Sequence, residues 1–155
     1  MSKRSAGLLM YRHSGAHPEV LLVHPGGPFW AKKDRGAWSI PKGEYVDDEE
    51  PLAAAQREFF EETGAQPRGA FAPLGEVRQP GGKHVTAWAV EGDFDPAALV
   101  STTFELEWPP RSGRTRSFPE VDRARWFSLE EAREKIIAGQ RPLIGRLEAL
   151  LVRGA

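Results

Sequence analysis

Three glutamates, Glu58, Glu61 and Glu62, recur at three- and four-residue spacing inside a stretch rich in Ala, Glu, Gln and Arg. At 100° per helical residue they share an arc of roughly 100°, with Leu52 and Phe59 about a quarter turn away. Three carboxylates therefore stand beside an apolar stripe. Like charges at this spacing repel one another and mildly destabilise an exposed helix. A hard divalent cation relieves that repulsion: Mg²⁺ favours carboxylate and carbonyl oxygens with open water positions, and phosphate oxygens complete its shell. A metal so held neutralises diphosphate oxygens, polarises phosphorus and lowers the pKa of an attacking water. The competing explanation is a solvated acidic helix face, which is where charge runs usually sit.

The surrounding frame separates the two. Gly43, Glu49, Arg57-Glu58, Glu61-Glu62 and Gly64 stand at fixed intervals. Seven such positions, at average usage of roughly 6–7% each, would coincide by chance on the order of 10⁻⁶ in a chain of this length. Gly43 to Ala65 resembles the 23-residue signature of the Nudix hydrolase superfamily and matches it at every charged and glycine position. Ala65 is smaller than the family's usual aliphatic residue, and Phe59 is bulky for its apolar slot; neither departure removes a chemical group. The resemblance implies an α/β/α sandwich with a mixed sheet and a catalytic loop-helix-loop. It implies that Glu58, Glu61 and Glu62 bind Mg²⁺ (or Mn²⁺), helped by a backbone carbonyl near Lys42 or Gly43. It also implies that Arg57 orients Glu58 and that Glu49 pairs with Arg57. The general base varies within the family. Glu120, in Ser117-Phe118-Pro119-Glu120, is the first candidate, because relatives acting on diadenosine polyphosphates carry a similarly placed acid; Glu58 is the alternative, and an ordinary loop acid is the plain reading of Glu120.

Trp38-Ser39-Ile40-Pro41-Lys42-Gly43 is similar to the Trp-x-x-Pro-Lys-Gly lead-in of diadenosine tetraphosphate hydrolases and of diphosphoinositol polyphosphate hydrolases, which points to a dinucleoside polyphosphate substrate and to Lys42 as a phosphate contact. Pro80, 15 residues after Ala65, resembles a proline of ADP-ribose pyrophosphatases, although Gln79-Pro80-Gly81-Gly82 reads more simply as a tight turn between the strands on either side. Phe29 and Trp30 can stack on a base or pack under their own loop, and Lys32, Lys33 and Arg35 can meet phosphates. Arg111, Arg114 and Arg116 form a second basic cluster in a turn-rich segment. The four histidines show no zinc spacing, and the basic clusters lack the aromatic sheet motifs of an RNA-binding module.

The elements that must carry these groups can be read along the chain. Ser5–Arg12 and Glu19–His24 are apolar runs joined by a turn-rich spacer and predict a strand pair. The stretch 25–36 is a loop, and Trp38–Ile40 predicts a short strand ending before Pro41. Pro51 suits the first turn of a helix and Gly64 its C-cap, giving a helix over Pro51–Thr63. Gly69–Val77, His84–Val90, Thr103–Trp108 and Arg123–Phe127 predict strands. Ser128-Leu129-Glu130-Glu131 is a capping box opening a helix to about Ala138, and Pro142–Val152 predicts another with Leu143, Leu147 and Leu150 on one face. Strands interleaved with helices imply a mixed sheet covered by helices.

With 155 residues, 40% hydrophobic and 28% charged, the chain suits a single domain over 1–155. A net charge of −1 provides no global field for nucleic acid or an anionic membrane, so any polyanion must be met locally, and the partner that the resemblance implies is a small nucleotide or polyphosphate. The absence of cysteine excludes disulfides, thiolate metal sites and cysteine nucleophiles. Gly7 to Tyr11 is too short for a signal-peptide core or a membrane span, and the expected location is the cytoplasm.

Overall fold

The computed structural model describes residues 3–153; positions 1, 2, 154 and 155 of the expected 1–155 domain lie outside the described residues. The strands are β1 (Lys3–Ser14), β2 (His17–Pro25), β3 (Lys42–Glu44), β4 (Phe71–Gln79), β5 (Lys83–Glu91), β6 (Thr103–Glu107), β7 (Thr115–Pro119) and β8 (Val121–Ser128). The helices are α1 (Pro51–Thr63), α2 (Leu129–Lys135) and α3 (Arg141–Val152), with short 3₁₀ turns at Pro96–Ala98 and Ala138–Gln140. β1 is the hub of a six-stranded mixed sheet ordered β4-β5-β1-β2-β8, with β3 added on β1. Its pairing with β5 is parallel, whereas its pairings with β2 and β3 are antiparallel. β6 and β7 form a separate two-stranded ribbon.

Alternation along the central strands sends side chains to two buried layers. Ala6, Leu8 and Met10 of β1, with Leu21 and Val23 of β2, pack with Ala54, Ala55 and Phe59 of α1. Leu9, Val20 and Leu22 face the opposite way, onto Leu129 and Ala132 of α2 and Leu143, Ile144 and Leu147 of α3. Covering both faces explains why these strands read as continuous apolar runs. The result is the expected α/β/α sandwich. Phe59, fully buried, contributes about 1.5–3 kcal/mol of transfer free energy to docking α1, while the small Ala54 and Ala55 let the helix lie close to the sheet.

Three expectations are corrected. Trp38–Ile40 is not a strand: Ser39 bridges Val23 while Trp38 bridges Ile136, so the segment is shared between two partners. That second bridge also stops α2 at Lys135 rather than near Ala138, because Ile136 turns extended and Ile137 N–H donates to Trp38 O at 2.8 Å. Thr115–Pro119, read as loop, is strand β7, its ribbon held by Phe104 against Phe118 with ring centroids 6.0 Å apart. Among the described residues no helix is long and apolar enough to cross a membrane.

Candidate active site

Local chemistry fixes both ends of α1. Pro51 occupies its first turn, and Gly64 adopts φ 85°, its N–H donating to Phe60 O at 2.7 Å. The buried Thr63 hydroxyl donates to Phe59 O at 2.7 Å and accepts from Ala65 N at 3.1 Å. The last carbonyls find partners outside the helix: Val100 N–H donates to Thr63 O at 3.0 Å and Thr102 N–H to Glu61 O at 2.8 Å. The relay continues, because Glu120 N–H donates to Thr102 O at 2.8 Å and Gly26 N–H to Glu120 O at 2.9 Å. Helix α1, the acid at 120 and the loop after β2 are thereby joined through main-chain groups.

The carboxylate face of α1 opens on a cleft of about 520 Å³ whose walls also include Lys42, Gly43, Gln79, Lys83, Thr102 and Glu120. Arg57 organises one side. Its guanidinium takes Glu49 bidentately at 2.8 and 2.9 Å, while Nη1 donates to Glu58 at 2.6 Å and to Glu61 at 3.0 Å. The hydrogen bond to Glu49, reinforced by Glu58, holds Arg57 more firmly protonated than a free guanidinium, and the same bond draws the Glu49 carboxyl below its ordinary pKa. Glu58 is pushed the other way, by burial first and by the charge of Glu61, against the pull of Arg57. Glu62 lies deepest. Burial raises its pKa from 4.5 to about 8, opposed by the charge of Lys42 and by Lys42 N–H, 3.3 Å from Oε1, and augmented by Glu58 and Glu120.

Among the described residues no three acidic or histidine side chains converge into a ready cation cage, because Glu58 and Glu61 lean on Arg57 while Glu62 turns to Lys42 N–H. The donor set nevertheless suits a hard divalent cation. It consists of oxygens, and burial with mutual repulsion has raised the proton affinity of Glu58 and Glu62, a cost that a cation removes. A Cβ at Gly43 would overlap the Glu58 carboxylate, so only glycine lets main chain and carboxylate meet there.

A second pocket, of about 290 Å³, shares Lys42, Glu62, Gln79, Lys83 and Glu120 with this cleft and adds Trp30. Of the expected site residues, Gly43, Glu58 and Glu61 border the first space, Trp30 the second, and Lys42, Glu62 and Glu120 both, while Arg57 braces Glu58 and Glu61 from outside the linings. Lys32 and Lys33 are outside both linings: Lys33 Nζ lies 4.9 Å over the Trp30 ring, and Lys33 O accepts from the buried His24 Nε2 at 2.6 Å. Phe29, 60% exposed, meets Trp108 edge-on at 5.5 Å. Trp38 is a core residue whose Nε1 donates to Asp34 at 2.8 Å, supporting the loop from beneath. Arg111, Arg114 and Arg116 are exposed on the ribbon and its turn. Pro80 starts the β4–β5 turn, with Gly81 and Gly82 at φ 84° and 75°.

Gln79 and Lys83 were missed as lining residues. They flank that turn and are paired across the hairpin, so asking which side chains a tight turn sets side by side would have found them.

A mixed sheet between helical layers, with acids presented on a loop-helix-loop, defines the class to which the molecule belongs. The NUDIX domain family matches residues 1–147, and the chain is a member of that family. It is 33% identical over 66 residues to an RNA pyrophosphohydrolase of Bartonella henselae, a match covering 40% of this chain and 35% of that protein. The chain therefore spans about a third of the length of this curated relative. A C. elegans Ap4A hydrolase binary complex superposes with a TM-score of 0.67 at 22% identity, covering 97% of this chain and 98% of that one. The NUDIX domain of Shewanella oneidensis NrtR, complexed with ADP ribose, gives 0.67 at 18% identity over 97% and 89%. At these identities the likeness establishes the fold.

Proposed function

We propose that the protein hydrolyses a phosphoanhydride bond with a divalent metal, Mg²⁺ or Mn²⁺, and that its substrate is a dinucleoside polyphosphate such as diadenosine tetraphosphate. One observation carries the reading: Glu58, Glu61, Glu62, Glu120 and Lys42 border one cleft that adjoins the pocket under Trp30. Glu58, Glu61 and Glu62, with a carbonyl near Gly43, would hold the metal, which supplies charge neutralisation of the diphosphate and a more acidic water. Arg57 keeps Glu58 and Glu61 oriented, itself anchored by Glu49. Glu120 accepts the proton of the attacking water, its position set by Thr102 O and Gly26 N–H rather than by its own side chain. Lys42 offers a cation to a phosphate oxygen, and Trp30 an apolar face to a base.

The fold does not choose between nucleotides, since the Ap4A hydrolase and the ADP-ribose-bound domain superpose equally well. The Trp38-to-Gly43 lead-in and Glu120 favour the dinucleoside polyphosphate, and Pro80 has a sufficient role as a turn residue. A second reading, pyrophosphate hydrolysis on RNA, is favoured by the 33% identity to the Bartonella protein. The deciding experiment is a Mg²⁺ assay against diadenosine tetraphosphate, ADP-ribose, nucleoside triphosphates, inositol pyrophosphates and RNA bearing a 5′-triphosphate. Asymmetric cleavage of diadenosine tetraphosphate to ATP and AMP, with the highest kcat/KM of the panel, is the expected result. A higher value for ADP-ribose or RNA transfers the assignment to that substrate, and no turnover of any compound overturns the enzymatic reading.

A further inference from the structure

We propose that Gln79 binds a phosphate oxygen of the substrate through its amide Nε2, and that the fully buried Gln140 sets it in that orientation. The inference rests on the reading of the cleft as a phosphate site. Gln140 belongs to the 3₁₀ turn before α3 and is 0% exposed. Its Oε1 accepts from Ile40 N–H at 3.0 Å, and a backbone N–H can only donate, so this end of the amide must be the oxygen. The other end is then Nε2, whose two hydrogens reach Ser39 Oγ at 3.0 Å and Gln79 Oε1 at 3.1 Å. Ser39 has already committed its hydroxyl hydrogen to Ile40 O at 2.7 Å, which leaves its oxygen to accept. Two independent anchors thus agree on the polarity of Gln140, and a donor facing Gln79 forces Gln79 to present its oxygen there.

The consequence lies on the far end of Gln79. With Oε1 committed to Gln140, Nε2 is the group left to the cleft, and Gln79 borders both the carboxylate cleft and the pocket under Trp30. Its cross-strand partner Lys83 and the nearby Lys42 border the same two spaces. An amide donor beside two ammonium groups selects an acceptor carrying negative charge, which is a phosphate oxygen rather than the edge of a base. Gly139 maintains the approach, since a Cβ there would lie 2.9 Å from Gln79 Cγ and 3.1 Å from Arg78 O.

The test uses inorganic tripolyphosphate and adenosine as separate calorimetric probes in Mg²⁺ buffer, with kcat and KM for diadenosine tetraphosphate measured alongside. Gln79→Ala removes a hydrogen bond to a charged group, so tripolyphosphate binding should weaken about ten- to a hundredfold while adenosine binding stays unchanged. Gln79→Glu should weaken it further. Gln140→Glu keeps an oxygen for Ile40 N–H but offers a second oxygen to Gln79, which must then turn its own oxygen into the cleft. The expected result is the same loss in tripolyphosphate affinity, expressed in KM more than in kcat, in a protein whose position 79 is untouched. Wild-type binding of tripolyphosphate that Gln79→Ala leaves intact overturns the role of Gln79 but not the hydrolase reading, as does a loss confined to adenosine. Failure of the wild type to bind tripolyphosphate overturns the role of Gln79, and the hydrolase reading falls with it only if no phosphoanhydride substrate is turned over.

Discussion

Glu62→Gln exchanges a buried carboxyl for an amide of nearly the same shape, and its effect on stability has a sign that depends on pH. In the metal-free protein the folded-state pKa of Glu62 is raised from 4.5 to about 8 by burial. Below pH 4.5 both folded and unfolded chains carry the proton, and the group contributes nothing. Between 4.5 and about 8 the unfolded chain has lost the proton that the folded chain keeps, so stability falls as pH rises, and above about 8 the whole penalty is present. At about 1.4 kcal/mol per pH unit the ceiling is roughly 5 kcal/mol, and relaxation around a group that is not fully sealed from water brings the expected value nearer 2 kcal/mol. Chemical denaturation in EDTA should therefore show Glu62→Gln more stable than wild type by about 2 kcal/mol at pH 8.5 and equal to it near pH 4.5. Mg²⁺ at pH 8.5 should raise the wild-type midpoint and leave the variant's nearly unmoved. A variant that is less stable than wild type at pH 8.5 without metal, or that gains as much from Mg²⁺, would refute the argument that Glu62 is a strained buried acid awaiting a cation.

Other expectations concern activity. The same Glu62→Gln variant should lose about 10²-fold or more in kcat while keeping its fold, and EDTA should abolish wild-type activity reversibly. Glu120→Gln should lower kcat strongly with metal affinity unchanged, as titration calorimetry with Mg²⁺ would show; a small loss returns the base to Glu58. Lys42→Ala should reduce kcat/KM on diadenosine tetraphosphate by about ten- to a hundredfold, the value of one charge-assisted phosphate contact. Arg57→Ala, which releases Glu58 and Glu61 from their common donor, should weaken metal binding by about 10–100-fold in the same titration.

Legibility in the sequence followed how local the determinants were. Both ends of α1 were readable because Pro51 and Gly64 act within one turn of their own positions, and the carboxylate arc follows from helical geometry alone. Ser128 likewise declared the start of α2, its hydroxyl accepting from Glu131 N–H at 3.1 Å. The end of α2 was not readable, since it depends on Trp38, nearly a hundred positions earlier in the chain. β7 escaped because its polar residues leave most of it exposed, and its pairing with β6 is decided across the ribbon rather than along it. Among the residues lining the cleft, the acids of α1 follow from helical spacing and Glu120 from the family resemblance, whereas Gln79 and Lys83 carry no signal beside the proline between them. The lysines of the loop were drawn toward phosphate by charge alone, yet the structure seats Lys33 against Trp30.

The backbone relay from Glu61 through Thr102 and Glu120 to Gly26 spends no side chain on alignment. Its fixed requirement is at Gly26, where a Cβ would overlap the carbonyl oxygen of Pro119. Such a frame separates the address of a side chain from its chemical identity: position 120 is held beside the cleft by main-chain groups alone. Exchanging that side chain would change the group offered to the cleft while leaving the seat in place, and the aromatic loop hung from the same frame can vary in sequence without disturbing the acids behind it.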